Sequence, residues 1–79
     1  MDIEKVRQII AEFLRVEPDS VKDNSKMTDD LGADSLDLVE LCFELEEEFG
    51  IEMPDDGIKQ WMSVLDVINL VKSRVEAGE

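Results

Sequence analysis

A serine set between two acids, in the run Gly32, Ala33, Asp34, Ser35, Leu36, Asp37, is the residue of this 79-residue chain that most directly invites chemistry. A nucleophilic serine needs a general base and a group that orients the base. The chain has no histidine and no serine–lysine arrangement with a recognisable local signature, so Ser35 is not expected to catalyse a reaction itself. Its plain structural role would be to satisfy backbone donors at a helix start. Paired carboxylates can perform acid and base work, but a chain this short cannot enclose a deep catalytic cleft as well as a large core. Calcium-loop spacing fails too: counted from Asp29 the third and fifth positions are Leu31 and Ala33, and counted from Asp30 the glycine position holds Ser35. No metal site is expected. The lone cysteine, Cys42, lies in an apolar run and behaves as a small reduced hydrophobe, which suits a cytoplasmic protein.

The elements that must position Ser35 follow from hydrophobic spacing. Ile3, Val6, Ile10 and Phe13 recur at helical intervals, with Ile9 and Leu14 widening the stripe, and predict a first helix from about Ile3 to Leu14. Glu17, Pro18, Asp19 and Ser20 break the pattern, and a connection of about twenty residues follows, with Val21, Met27 and Leu31 spaced as anchors into the core. The strongest helical pattern spans Ser35 to Phe49, where Leu38, Leu41, Cys42, Leu45 and Phe49 form one stripe; Asp34 or Ser35 supplies its N-cap and Gly50 ends it. A short third helix is predicted from Asp55 or Asp56 to about Trp61. A fourth begins after Ser63 and buries Val64, Val67, Ile68, Val71 and Val75. No run alternates as a strand would. The expected class is all-α, a small four-helix bundle with a long loop between helices 1 and 2 and a short third helix, forming one domain over residues 1–79.

Charge is distributed unevenly over this frame. The net charge is −13, which excludes the basic footprint that nucleic-acid binding needs. Residues 29–56 hold twelve acids and neither Lys nor Arg, while the rest of the chain is nearly neutral. A merely solvated helix normally interleaves bases at i+3 and i+4; this one does not, and Leu36, Val39 and Phe43 make a second apolar stripe beside the acids. An apolar strip rimmed by carboxylates suits docking of basic partners. Charges interrupt every apolar run before about 18 residues, so no membrane span is expected, and no leader pattern follows Met1.

The run DDLGADSLDLVELCFELEEE from Asp29, followed by FGIEMPDD, resembles the acyl carrier proteins of dissociated fatty acid synthesis. The likeness extends without a gap from IEKVRQIIAEFL to the final amphipathic helix, and LGADSLD in this setting is highly specific. The resemblance implies a carrier and not an enzyme. It makes Ser35 the attachment point of 4′-phosphopantetheine, delivered from coenzyme A by a phosphopantetheinyl transferase, with Asp34 and Leu36 beside it and acyl groups borne as thioesters. It assigns docking of fatty acid synthesis enzymes and acyltransferases with basic patches to Asp34, Leu36, Asp37, Val39, Glu40, Phe43, Glu46 and Glu47, with Asp55 and Asp56 at the edge. It draws the lining of an acyl pocket from Met27, Leu41, Cys42, Leu45, Met53, Ile58, Trp61 and Ile68; simple core packing accounts for the same residues. A phosphodiester on Ser35 would meet the positive end of a helix, whereas Asp34 and Asp37 oppose it and fit partner contact better.

Several residues depart from the family pattern: Trp61 replaces a smaller aliphatic residue, Lys59 a common carboxylate, Phe43 a flexible residue such as Met, and Leu70 a frequent Tyr, while Gly57 lowers helix propensity by about 1 kcal/mol relative to Ala. These bear on pathway and acyl length. A monomeric carrier of a specialised lipid or polyketide-type pathway, or an unmodified acidic adaptor that binds basic partners, are the competing readings.

Overall fold

The computed structural model describes residues 2–78, and among them three α-helices form: α1 (Ile3–Leu14), α2 (Ser35–Phe49) and α3 (Val64–Ala77). Each begins at a side-chain cap. The Asp2 carboxylate accepts the Glu4 amide, Asp34 accepts from Asp37, and Ser63 accepts from Asp66. In the last two, the acid three residues on returns a bond to the cap's own amide, which satisfies two of the donors a helix start leaves open. α2 ends at Gly50 as the spacing predicts.

α1 packs against both α2 and α3. Val6, Ile10, Leu41, Leu45, Val64, Val67, Ile68 and Val71 meet in the core, each at most 2% exposed, where burying a side chain of this size contributes about 1.5–3 kcal/mol. The connection between α1 and α2 is anchored as its apolar residues predict, with Val21, Met27 and Leu31 all buried. It opens with a 3-10 turn at Pro18–Ser20, which the sequence reading did not anticipate, although Pro18 in the first position is a signal for one.

This long connection is held mainly by backbone bonds. The Met27 amide donates to the Met62 carbonyl, the Val64 amide to Ser25 and the Leu65 amide to Asp23, so residues 23–27 run alongside the entry to α3; Lys26 and Ser63 form an isolated antiparallel bridge. Ser25, the one buried polar side chain among the described residues, donates its hydroxyl to Ser20 and accepts from Lys22. Arg7 reaches from α1 to the Val21 carbonyl and pairs with Asp23.

The short helix expected between Asp55 or Asp56 and Trp61 does not form, so the architecture is three helices with an irregular strap and not a four-helix bundle. Two separate turns replace it: the Gly57 amide donates to Pro54, and the Met62 amide to Lys59. Gly57 adopts φ +57, a left-handed conformation that interrupts any right-handed helix through this point. Few residues remain on either side, too few to nucleate a helix without it.

Candidate functional site

Ser35 is presented by the backbone immediately before it. Gly32 takes φ +76, which L side chains rarely adopt, and its amide closes on Thr28; the Ala33 amide then donates to Met27 and the Thr28 hydroxyl to the Ala33 carbonyl. The chain leaves this knot extended at Asp34 and enters α2. The cap that the sequence left between two residues belongs to Asp34: its Oδ1 accepts the Asp37 amide at 2.8 Å, and Asp37 Oδ2 accepts the Asp34 amide at 3.1 Å. Ser35 is therefore released from capping. It is exposed, and among the described residues its hydroxyl has no hydrogen-bond partner in the chain. Among the described residues the backbone amides of Ser35 and Leu36, in the first turn of α2, have no partner either, and such amides favour an adjacent anion.

Two acids assigned to partner contact thus have an internal job. Asp34 and Asp37 close the capping box, and Glu46 is also turned inward, its Oε2 accepting the Met53 amide at 2.8 Å and tying the strap to α2. Glu40 and Glu47 are exposed, as are Asp55 and Asp56, the latter paired with Lys59 at 3.2 Å. Between them the second apolar stripe is open to solvent, with Leu36 65%, Val39 51% and Phe43 63% exposed. Lys5 of α1 pairs with Glu48 at 2.9 Å, and that carboxylate holds the Lys5 ammonium above its usual range.

The residues assigned to the acyl pocket separate into three groups. Met27, Leu41, Leu45 and Ile68 are buried in the core and are not among the residues that line the cleft between α2 and the strap. Trp61 stands on the turn at residues 60–61, 67% exposed, so its expected place in a pocket is corrected: the helix that would have turned it inward is absent. Cys42, Met53 and Ile58 do line a cleft, of about 290 Å³, between α2 and the strap. Its α2 wall is Leu38, Val39, Cys42, Phe43 and Glu46, and its other wall is residues 53–58. Leu38, Val39, Pro54 and Gly57 were missed as lining residues, because the route of the strap is a tertiary matter that helical spacing does not encode. Burial pushes the Cys42 thiol above its usual range, and the Ile58 backbone N–H partly offsets this.

Ser35 lies four and seven residues before Val39 and Cys42, so the exposed hydroxyl and the cleft share one face of α2. A family model, the phosphopantetheine attachment site, matches residues 4–71. An acyl carrier protein of Clostridium acetobutylicum is 51% identical over 76 residues, covering 96% of this chain and 99% of its own. One from Campylobacter hominis is 50% identical over 70 residues, 89% of each chain, and one from Zymomonas mobilis is 47% identical over 68 residues, 86% of this chain and 87% of that protein. The chain belongs to the phosphopantetheine-attachment family and, within it, to the acyl carrier proteins.

Proteins of this kind are carriers and not catalysts, and their prosthetic group is 4′-phosphopantetheine. The head of α2 fits that group, because a free, exposed hydroxyl stands beside two unpaired amides that favour phosphate charge. As a carrier, the chain works with synthesis enzymes and acyl chains. No helix among the described residues is long and apolar enough to cross a membrane, and the described residues contain no group of acids and cysteine placed to hold a metal ion.

Proposed function

We propose that Ser35 carries the 4′-phosphopantetheine arm and that the protein shuttles acyl thioesters among the enzymes of fatty acid synthesis. The observation that supports this most is the division of labour at the start of α2, where Asp34 takes the cap and leaves the Ser35 hydroxyl free beside unpaired amides. The arm supplies a terminal thiol for thioester carriage; the chain's own residues position the hydroxyl, recruit partners and shelter cargo. Leu36, Val39 and Phe43 provide the apolar docking contact, with Glu40, Glu47, Asp55 and Asp56 steering basic patches on the transferase and synthesis enzymes. Asp34, Asp37 and Glu46 serve the fold first, and add to the local potential that partners meet. Residues 1–79 act as one carrier domain, monomeric and cytoplasmic; the free thiol of Cys42 suits that compartment.

The test is an intact mass after incubation with coenzyme A and a promiscuous phosphopantetheinyl transferase, with Ser35→Ala alongside. One pantetheinyl addition, absent from the variant, is the expected result. No addition, while another carrier in the same mixture is modified, would leave an unmodified acidic adaptor as the better account. The exposed Trp61 on the irregular strap favours a second reading of the pathway, a carrier for a specialised lipid or polyketide-type route. Elongation by general fatty acid synthases, measured on the malonyl-loaded protein, separates the two.

A further inference from the structure

Arg15 is the one non-glycine residue among those described that takes a left-handed backbone, at φ 58, where α1 ends. Such a position suits glycine, and the arginine side chain forms no ion pair among the described residues that would offset the strain. It lines a hollow of about 550 Å³ between the end of α1 and the first half of α2. Phe13, Leu14 and Leu31 give the hollow its apolar surface, Glu12 and Glu40 are its exposed acids, and Arg15 is its one base. It shares no lining residue with the cleft beside the strap. Glu40 stands about 140° round α2 from Ser35, and three and four residues from Phe43 and Leu36, so the hollow carries the exposed stripe round onto α1.

We propose that this hollow is a second docking surface, in which Arg15 selects a partner that presents a carboxylate beside an apolar side chain. The apolar group covers Phe13, the carboxylate meets Arg15, and a base on the same partner faces Glu12 or Glu40. Charge argues for that occupant. Along α2 a partner's carboxylate meets acids, and the nearby Lys5 and Lys59 are already paired with Glu48 and Asp56; Arg15 is open to it. A wholly basic patch is repelled by Arg15, so the residue works against such partners and in favour of mixed ones. A second copy of this chain is a poor occupant, because each copy carries −13. The proposal rests on the carrier reading and adds to the α2 face a contact that discriminates among partners.

The test compares the wild type with Arg15→Gly, Arg15→Lys and Arg15→Glu. Each is loaded with an acylated 4′-phosphopantetheine arm, checked by intact mass, and offered to an acyltransferase, a condensing enzyme, a reductase and a dehydratase of fatty acid synthesis. For at least one enzyme KM should rise about fivefold in Arg15→Gly and further in Arg15→Glu, stay near the wild-type value in Arg15→Lys, and change more than kcat does. Arg15→Gly should melt at or above the wild type, so that weaker docking accompanies a fold at least as stable; Arg15→Lys against Arg15→Glu keeps the comparison open should it melt lower. The sign is decisive. If Arg15 were merely a base among acids, its removal would strengthen the docking of basic patches, and a KM that falls or holds for all four enzymes overturns the proposal while leaving the carrier reading intact. A wild-type dimer in sedimentation that Arg15→Gly dissolves would give the hollow to a second copy and overturn it too. A wild type that takes no arm overturns both.

Discussion

Replacing Asp34 and Ser35 in turn by alanine separates the residue that holds the helix from the residue that is free to be modified. In Asp34→Ala the Asp37 amide loses its acceptor, whereas the reciprocal bond from the Asp34 amide to the Asp37 carboxylate survives because its donor is backbone. Loss of a side-chain cap costs about 1 kcal/mol. Removing one carboxylate from a base-free stretch returns a few tenths of a kcal/mol, so the net loss is about 0.7 kcal/mol. For a domain of this size that lowers Tm by about 3–6 °C. Ser35→Ala removes no hydrogen bond and places a better helix former in the first turn, so its Tm should equal or slightly exceed that of the wild type. Thermal melts by circular dichroism at neutral pH and 0.15 M salt, roughly physiological ionic strength, decide the matter. A loss in Ser35→Ala as large as in Asp34→Ala would refute the argument, because Ser35 would then be a cap and its hydroxyl would not be free.

Raising sodium chloride, or adding millimolar divalent cation, should raise Tm by screening the twelve acids of residues 29–56, and a flat titration would contradict that electrostatic account. Gly57→Ala should destabilise by more than 1 kcal/mol, roughly, since it combines a left-handed backbone with the collision at Cys42; in a Cys42→Ala background urea midpoints should show the collision relieved and the backbone cost remaining. Arg15 ends α1 at φ 58, a position that suits glycine, so Arg15→Gly should stabilise by about 0.5 kcal/mol, and a destabilised variant would mean that the arginine side chain contributes more than its backbone costs. The Asp66 carboxylate is held below its usual range chiefly by the Ser63 amide, so its stabilising effect is present above the unfolded value and is lost as pH falls through the lower folded one. Asp66→Ala should accordingly trail the wild type in urea melts at neutral pH and converge with it in acid.

The three helices were legible because each carries a long stripe at the helical period, and their observed bounds follow those stripes and their caps. The strap was not legible for the opposite reason. Between Pro54 and Ser63 the apolar residues are too few to show a period, and the left-handed Gly57 lies where an added Cβ would meet Cys42, a proximity between separate parts of the chain that local spacing does not encode. Trp61 was misplaced as a consequence, since its inward aim depended on that helix. At the head of α2 the sequence offered two caps and the structure uses Asp34; an acid three residues after it, Asp37, was the available signal for a capping box. Glu46 looks on paper like its exposed neighbour Glu47, and only the fold brings the Met53 amide within its reach.

The rungs that join residues 23–27 to residues 62–65, and the knot from Met27 to Ala33 that follows, are made largely by main-chain atoms. Such bonds are indifferent to most side chains, so the exposed Lys22, Asn24 and Asp29 can be exchanged while the mount that presents Ser35 keeps its shape. The location of the hydroxyl is inherited from topology, and the identity of whatever reads it is written in side chains nearby. The two are separately adjustable: a descendant of this chain can change what docks beside Ser35 by a few surface substitutions without first rebuilding the turn that presents the hydroxyl.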